Sequence, residues 1–154
     1  FLVIFSAFPA LAEQLSGRVV GVHDGDTITV LTADKRSVRT RLVEIDAPES
    51  GQPYGTRAKQ ALSGLIFDKQ VIVEVSGIDR YGRTLGRIFQ DGMDVNAEMV
   101  RLGYAWVYRR YAADETLFDL EEAARAAKRG LWSLPLRDQV PPWEWRRKSP
   151  ARTR

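Results

Sequence analysis

The sequence has no cysteine and one histidine, His23, in 154 residues. Disulfides, thiolate nucleophiles and cysteine-built zinc sites are excluded, and a single imidazole gives no basis for a histidine-rich metal cluster or an imidazole-dependent triad. An excess of one charge is also missing: 23 Lys/Arg face 20 Asp/Glu, a net of +3. Even that excess is local. Residues 141–154 hold five of the basic side chains and one acid, leaving 18 basic against 19 acidic elsewhere. Global attraction to a polyanion is a weak argument here, and individual arginines have to carry any such case. Catalysis, if the chain performs any, rests on carboxylates, arginines, lysines and tyrosines.

Residues 1–12 form an uncharged apolar run ending in Ala10-x-Ala12. A membrane anchor needs about 20 apolar residues. The run fits better as the apolar part and small-residue cleavage site of a secretory signal whose start is missing. A mature chain from about Glu13, secreted or periplasmic and with no stable membrane insertion after cleavage, is the expectation. Its length suits one domain that buries its own core without staples.

Beyond the signal, Ser16–Val22 and Thr27–Thr32 are β-rich runs separated by His23-Asp24-Gly25-Asp26, where Asp-Gly signals a hairpin. A third strand is predicted over Ser37–Ile45, then an amphipathic helix over Gly55–Phe67 with Ala58, Leu62, Leu65 and Ile66 on one face. Strands follow at Gln70–Ser76 and Thr84–Phe89, joined by a polar loop. Val95, Met99 and Leu102 mark a short helix, and Asp114 caps a longer one over Glu115–Arg129. Five strands with a helix between the third and fourth, and about three helices in all, are the layout of an α+β OB-fold barrel. The expected domain covers 13–136. Residues 137–154 read as a Pro/Trp/Arg-rich tail lying over it, with Lys148–Arg154 disordered.

Chemistry concentrates in Arg41-Leu-Val-Glu-Ile-Asp-Ala-Pro-Glu49. This strand starts with an arginine and ends with two acids, and Pro48 stops its ladder. The hairpin brings Asp26 close to Asp46 and Glu49. Two carboxylates with a backbone carbonyl and water make a hard-oxygen site suited to calcium, and a third acid can orient water. Arg41 and Arg83 add planar forks for a phosphate. On an ideal strand Arg41 and Asp46 point to opposite faces, so a bend or bulge between them is predicted.

Three segments, Asp24-Gly-Asp-Thr27, Arg41 to Glu49 and Asp79-Arg-Tyr-Gly-Arg83, together resemble the signatures of the thermonuclease, or staphylococcal-nuclease-like, family. The likeness runs in order from about Ser16 to Trp132, including Val95-Asn96 and Arg101-Leu-Gly103. Each motif alone is weak and the set is specific. The resemblance implies an OB-fold, calcium-dependent hydrolysis of DNA and RNA, and 3′-phosphate products. It further implies calcium ligation by Asp26 and Asp46 through carboxylates and by Ala47 through its carbonyl, with Asp24 beside them. Glu49 is then the general base or orients the water, and Arg41 and Arg83 clamp the phosphate. For the leaving 5′-oxygen, Arg83 is the candidate partner.

Ala47 stands where the family pattern has a threonine, so a hydroxyl is lost, and the connection from Glu49 to Gly55 is shorter than the family's loop. Tyr81 matches a base-stacking position, whereas Tyr104, Tyr108 and Tyr111 compete for another, for which Tyr108 is selected. Stacking favours single strands, and a monomer is expected. Two other readings stand beside the enzyme. A non-catalytic OB module that binds oligonucleotides or a protein would be expected to lose one of the acids or arginines, and a structural calcium domain gives no reason for Arg41 and Arg83.

Overall fold

The computed structural model describes residues 13–149. The apolar run at 1–12 and the last residues of the expected disordered end lie outside them. Alternation of buried and exposed positions builds the first strands. β1 (Gln14–Val22), β2 (Thr27–Thr32) and β3 (Ser37–Leu42) form an antiparallel meander. A short β4 (Ile45–Asp46) follows, then α1 (Gly55–Ile66), β5 (Gln70–Ile78) and β6 (Thr84–Gln90). β5 returns to pair with β1, and β6 pairs with β5 on one side and runs parallel to β3 on the other. That parallel contact, Thr40 opposite Thr84 through Leu42 opposite Gly86, closes a five-stranded barrel. The expected OB-type α+β architecture is the one found.

Val19, Ile28, Val30, Leu42, Val71, Val73 and Ile88 fill the barrel, and Ala58, Leu62 and Ile66 of α1 pack with them as its periodicity predicts. Burying each large aliphatic side chain is worth about 1.5–3 kcal/mol. After β6 come β7 (Met93–Asp94), α2 (Val95–Arg101), β8 (Trp106–Val107) and α3 (Glu115–Ala126). Asp114 caps α3 by accepting from the Thr116 amide, as expected.

Three expectations need correction. The third strand does not run to Ile45: it ends at Leu42, and Glu44 adopts φ 64 before β4 pairs with β8 in a separate two-stranded sheet. A left-handed non-glycine residue costs on the order of 1 kcal/mol or more. The Glu44 carboxylate offsets this by accepting from the Ala113 and Asp114 amides (2.6 and 3.0 Å) and from Arg87 (3.2 Å). The helix expected to reach Arg129 stops at Ala126, because Lys128 turns left-handed (φ 51) and the chain folds back so that the Leu131 amide reaches the Gly103 carbonyl. Finally, four α-helices, not three, occur among the described residues. The fourth, α4 (Pro142–Lys148), lies in the expected tail, started by Pro142 at its first turn.

α4 is seated on an aromatic cluster. Trp143 stacks on Tyr108 at 5.4 Å and 7°, and meets Trp106 edge-on at 5.9 Å. Trp106 in turn packs edge-on against Trp132 at 4.5 Å. Gln52, buried in the loop after β4, donates to the Val140 carbonyl at 2.6 Å. No helix among the described residues is long and apolar enough to cross a membrane.

Candidate active site

The break at Glu44 puts Arg41 and Asp46 on one side. Arg41 Nη2 lies 3.2 Å from Asp46 Oδ1 and 3.3 Å from Asp26 Oδ2, and Nη1 donates to the Ile45 carbonyl at 2.9 Å. The bend expected between Arg41 and Asp46 is therefore present. It is supported from behind by buried Asn96, whose Nδ2 donates to the Val43 carbonyl (2.9 Å) while Oδ1 accepts from the Ile88 amide (3.0 Å). β8 then holds the backbone of Asp46, and Glu121 of α3 fixes β8 by accepting from the Val107 amide at 2.9 Å.

Asp26 reaches the same point from the hairpin between β1 and β2. Its Oδ2 accepts from the Ala47 amide at 2.7 Å, and its own amide donates to Asp24 Oδ1 at 3.0 Å. Only glycine fits between them at position 25, since a Cβ there would come within 2.6 Å of the Ala47 methyl and 2.8 Å of the Ala58 methyl. Burial pushes Asp26 up to about 6, with Arg41 opposing and Asp24 adding to the rise. Asp46 is also raised by burial, against the pull of Arg146 and Arg41. Two carboxylates that resist ionisation and share one guanidinium nitrogen are a place where further positive charge is favoured, and Arg146 supplies part of it at Asp46.

Glu49 follows in a tight turn. Its carbonyl accepts from the Gln52 amide and its amide donates to Gln52 Oε1, both at 2.9 Å. Gly55 is required here because a Cβ would lie 2.0 Å from the Glu49 carbonyl oxygen. The Glu49 side chain is about one-third exposed at the mouth of the site.

Arg83 approaches from the turn between β5 and β6. Asp79 organises that turn by accepting from the amides of Tyr81 (2.8 Å) and Arg83 (3.0 Å) and from Arg83 Nε (2.7 Å). Burial opposes ionisation of Asp79, yet these bonds hold its carboxyl below the usual range. Asp79 occupies only Nε, so it steers the guanidinium. Tyr81 is exposed, with Arg80 and Arg83 at 4.8 and 5.5 Å from its ring.

One cleft of about 1000 Å³ is lined by Asp24, Asp26, Arg41, Asp46, Glu49, Tyr81, Arg83 and Tyr108. These are the residues singled out from the sequence, apart from Ala47, which lies buried behind Asp26. One face of Tyr108 is covered by Trp143, and Tyr104 stacks with Tyr54 at 5.8 Å instead of lining the cleft. Sequence reasoning missed Arg146. From α4 it places Nη2 2.7 Å from Asp46 Oδ2, and Nη1 3.1 Å from Asp46 Oδ1 and 2.5 Å from Glu49 Oε1. A signal was present in the tail: Trp143 and Arg146 are three apart behind a helix-starting proline, hence on one face.

The donors suit a hard cation. Asp26, Asp46 and the nearby main chain offer only oxygen, and no group of three or more His, Cys, Asp or Glu side chains is placed to hold a metal among the described residues. Such a two-carboxylate set leaves most positions to carbonyls and water, which calcium tolerates.

A closed five-stranded barrel with paired acids and arginines gathered in one cleft at its mouth defines an OB-type protein. Residues 39–134 match the family model described as "Staphylococcal nuclease homologue". The chain is 50% identical over 146 residues to an uncharacterized endonuclease of Escherichia coli O157:H7, covering 94% of this chain and 93% of that one. It is 49% identical to Protein ParB of Escherichia coli over 158 residues (96% and 87% covered). A micrococcal nuclease of Shigella flexneri is 42% identical over 159 residues (96% and 89% covered). The chain belongs to the staphylococcal nuclease homologue family.

Proposed function

We propose that this protein is a calcium-dependent nuclease that hydrolyses phosphodiester bonds of DNA and RNA, with 3′-phosphate ends left on the products. The observation that carries this reading is the convergence of Asp26 and Asp46 on Arg41 Nη2, with Glu49 and Arg83 facing the same cleft. The names of the relatives support the nuclease part. Asp26 and Asp46 would hold the ion with the Ala47 carbonyl. When bound, calcium supplies positive charge to the phosphate and to a coordinated water.

The chain's own groups do the rest. Arg41 and Arg83 bind the phosphate and strengthen their hold as charge develops on it. Glu49 takes a proton from the water that attacks phosphorus. The bond to the 5′-oxygen breaks, Arg83 offsets the charge on that oxygen while it takes a proton from solvent water, and the phosphate stays on the 3′ side. Arg80, Tyr81, Arg110 and Tyr111 border the cleft with cations and rings on which unpaired bases can stack, consistent with single-stranded substrates. Secretion or a periplasmic location is proposed from the apolar run and Ala-x-Ala site at 1–12, and the working form is proposed to be a monomer.

Identification of the product ends tests the reaction: 3′-phosphates are expected, and 5′-phosphates with 3′-hydroxyls would overturn the direction of cleavage. Arg83→Lys keeps the charge but loses the fork held by Asp79. It is expected to lower kcat/KM by about 10- to 100-fold, as expected for the loss of a charged hydrogen bond of about 1.5–3 kcal/mol. Steady-state rates on a short single-stranded substrate check this, and a change under twofold would argue against a forked clamp.

A further inference from the structure

Glu49 is more exposed than Asp26 or Asp46, and the geometry that would make it effective is not supplied by its own loop. The Gln52 turn fixes its backbone. Its carboxylate, among the described residues, has one recorded partner, Arg146 Nη1 at 2.5 Å. The same nitrogen lies 3.1 Å from Asp46 Oδ1, and Nη2 lies 2.7 Å from Asp46 Oδ2. One planar guanidinium thus spans two acids from opposite ends of the motif at 46–49.

We infer that Arg146, carried into the cleft by α4, is a positioning residue of the active site that fixes the Glu49 carboxylate beside Asp46. This rests on the reading of Glu49 as the base. A fork is needed for the task, because a guanidinium holds two carboxylates at a set separation whereas an ammonium is a point charge.

The alternative is a detachable plug, a tethered cation occupying the acids until something displaces it. The anchoring of α4 argues against that. Pro142 is buried, Trp143 stacks on Tyr108 and meets Trp106, and buried Gln52 ties the Glu49 turn to Val140. Trp143 and Arg146 lie on one helix face, so the stacking that seats the helix also aims the arginine. The segment is packed into the same aromatic cluster as Trp132 and Leu131, as a part of the fold. Burial opposes the charge on Arg146, but its bonds to Asp46 and Glu49 raise its pKa above the ordinary arginine value, so it stays cationic.

The test uses the full chain with Arg146→Met, Glu49→Gln and the double variant, assayed on single-stranded DNA at saturating calcium, with calcium binding measured by calorimetry without nucleic acid. Arg146→Met is expected to lower kcat by about 10- to 100-fold with KM within threefold. In the Glu49→Gln background the same change should cost less than threefold, because a residue acting through Glu49 has nothing left to position. Equal losses in both backgrounds would mark a structural role and overturn the inference. Faster cleavage by Arg146→Met together with tighter calcium binding would overturn it in favour of a plug. Full activity of Glu49→Gln would remove the reading of Glu49 on which the inference rests. An inactive Glu49→Gln beside a fully active Arg146→Met would remove the inference alone. If Arg146→Met melts early, Arg146→Ala with millimolar guanidinium carries the test. Rescue is expected there and not in Glu49→Gln, and no rescue would count against a positioning role.

Discussion

Glu49→Gln is expected to lower kcat on single-stranded DNA by about 10²- to 10⁴-fold, the range that positioned general bases supply. Calcium and nucleotide binding should stay within a few fold of the unaltered protein. The amide has nearly the shape of the carboxylate and keeps an oxygen facing Arg146, so the tight turn through Gln52 and Gly55 is undisturbed. What is lost is the ability to take a proton. Single-turnover rates with calorimetric binding on the same sample separate the two effects, and unchanged turnover would refute the role of Glu49 as base.

Asp26→Asn should move stability and activity in opposite directions. Burial holds Asp26 at about 6, above the ordinary aspartate value. An acid with a raised folded pKa binds protons more tightly when folded. Metal-free protein therefore gains stability as pH falls from above 6 toward 4 and loses it as pH rises through that window. Above pH 6 the ionised, buried side chain costs up to about 3 kcal/mol. Asparagine carries no charge and retains an acceptor for the Ala47 amide, while Arg41 keeps Asp46 at 3.2 Å. Urea unfolding in chelator at pH 7.5 should show a gain of about 1–3 kcal/mol, with a flatter pH dependence between 4 and 6. Activity should fall by about 10²-fold or more, since a lost ligand forfeits several kcal/mol of charge stabilisation. A destabilised Asp26→Asn protein would show that the buried carboxylate is a net support of the fold.

Asp24, Asp26, Arg41, Asp46, Glu49 and Arg83 were legible because the three short segments that carry them, each at a strand end or turn, together resemble the signatures of one family. Barrel strands were legible from alternation, as β5 shows with Val71 and Val73 inward. Glu44 was not, because Leu42 and Ile45 continue an apolar pattern and the partners that hold its left-handed backbone, Arg87, Ala113 and Asp114, are 43 to 70 residues away. The end of α3 was hidden by an alanine-rich pattern that runs on to Arg129 although Lys128 turns out of it. Arg146 is 97 residues from Glu49, on a seven-residue helix whose existence depends on Trp143 finding Tyr108 and Trp106. Contacts of that kind have no local period to read.

The claim at the centre of this account is that the cleft between Asp26, Asp46 and Glu49 hydrolyses nucleic acid with calcium. Its most direct test is the degradation of single-stranded DNA by this protein, with calcium added and then removed by chelator. Cleavage that begins with calcium, stops on chelation and resumes on replenishment is the result predicted. No cleavage at any calcium concentration, or cleavage indifferent to chelator, would contradict it.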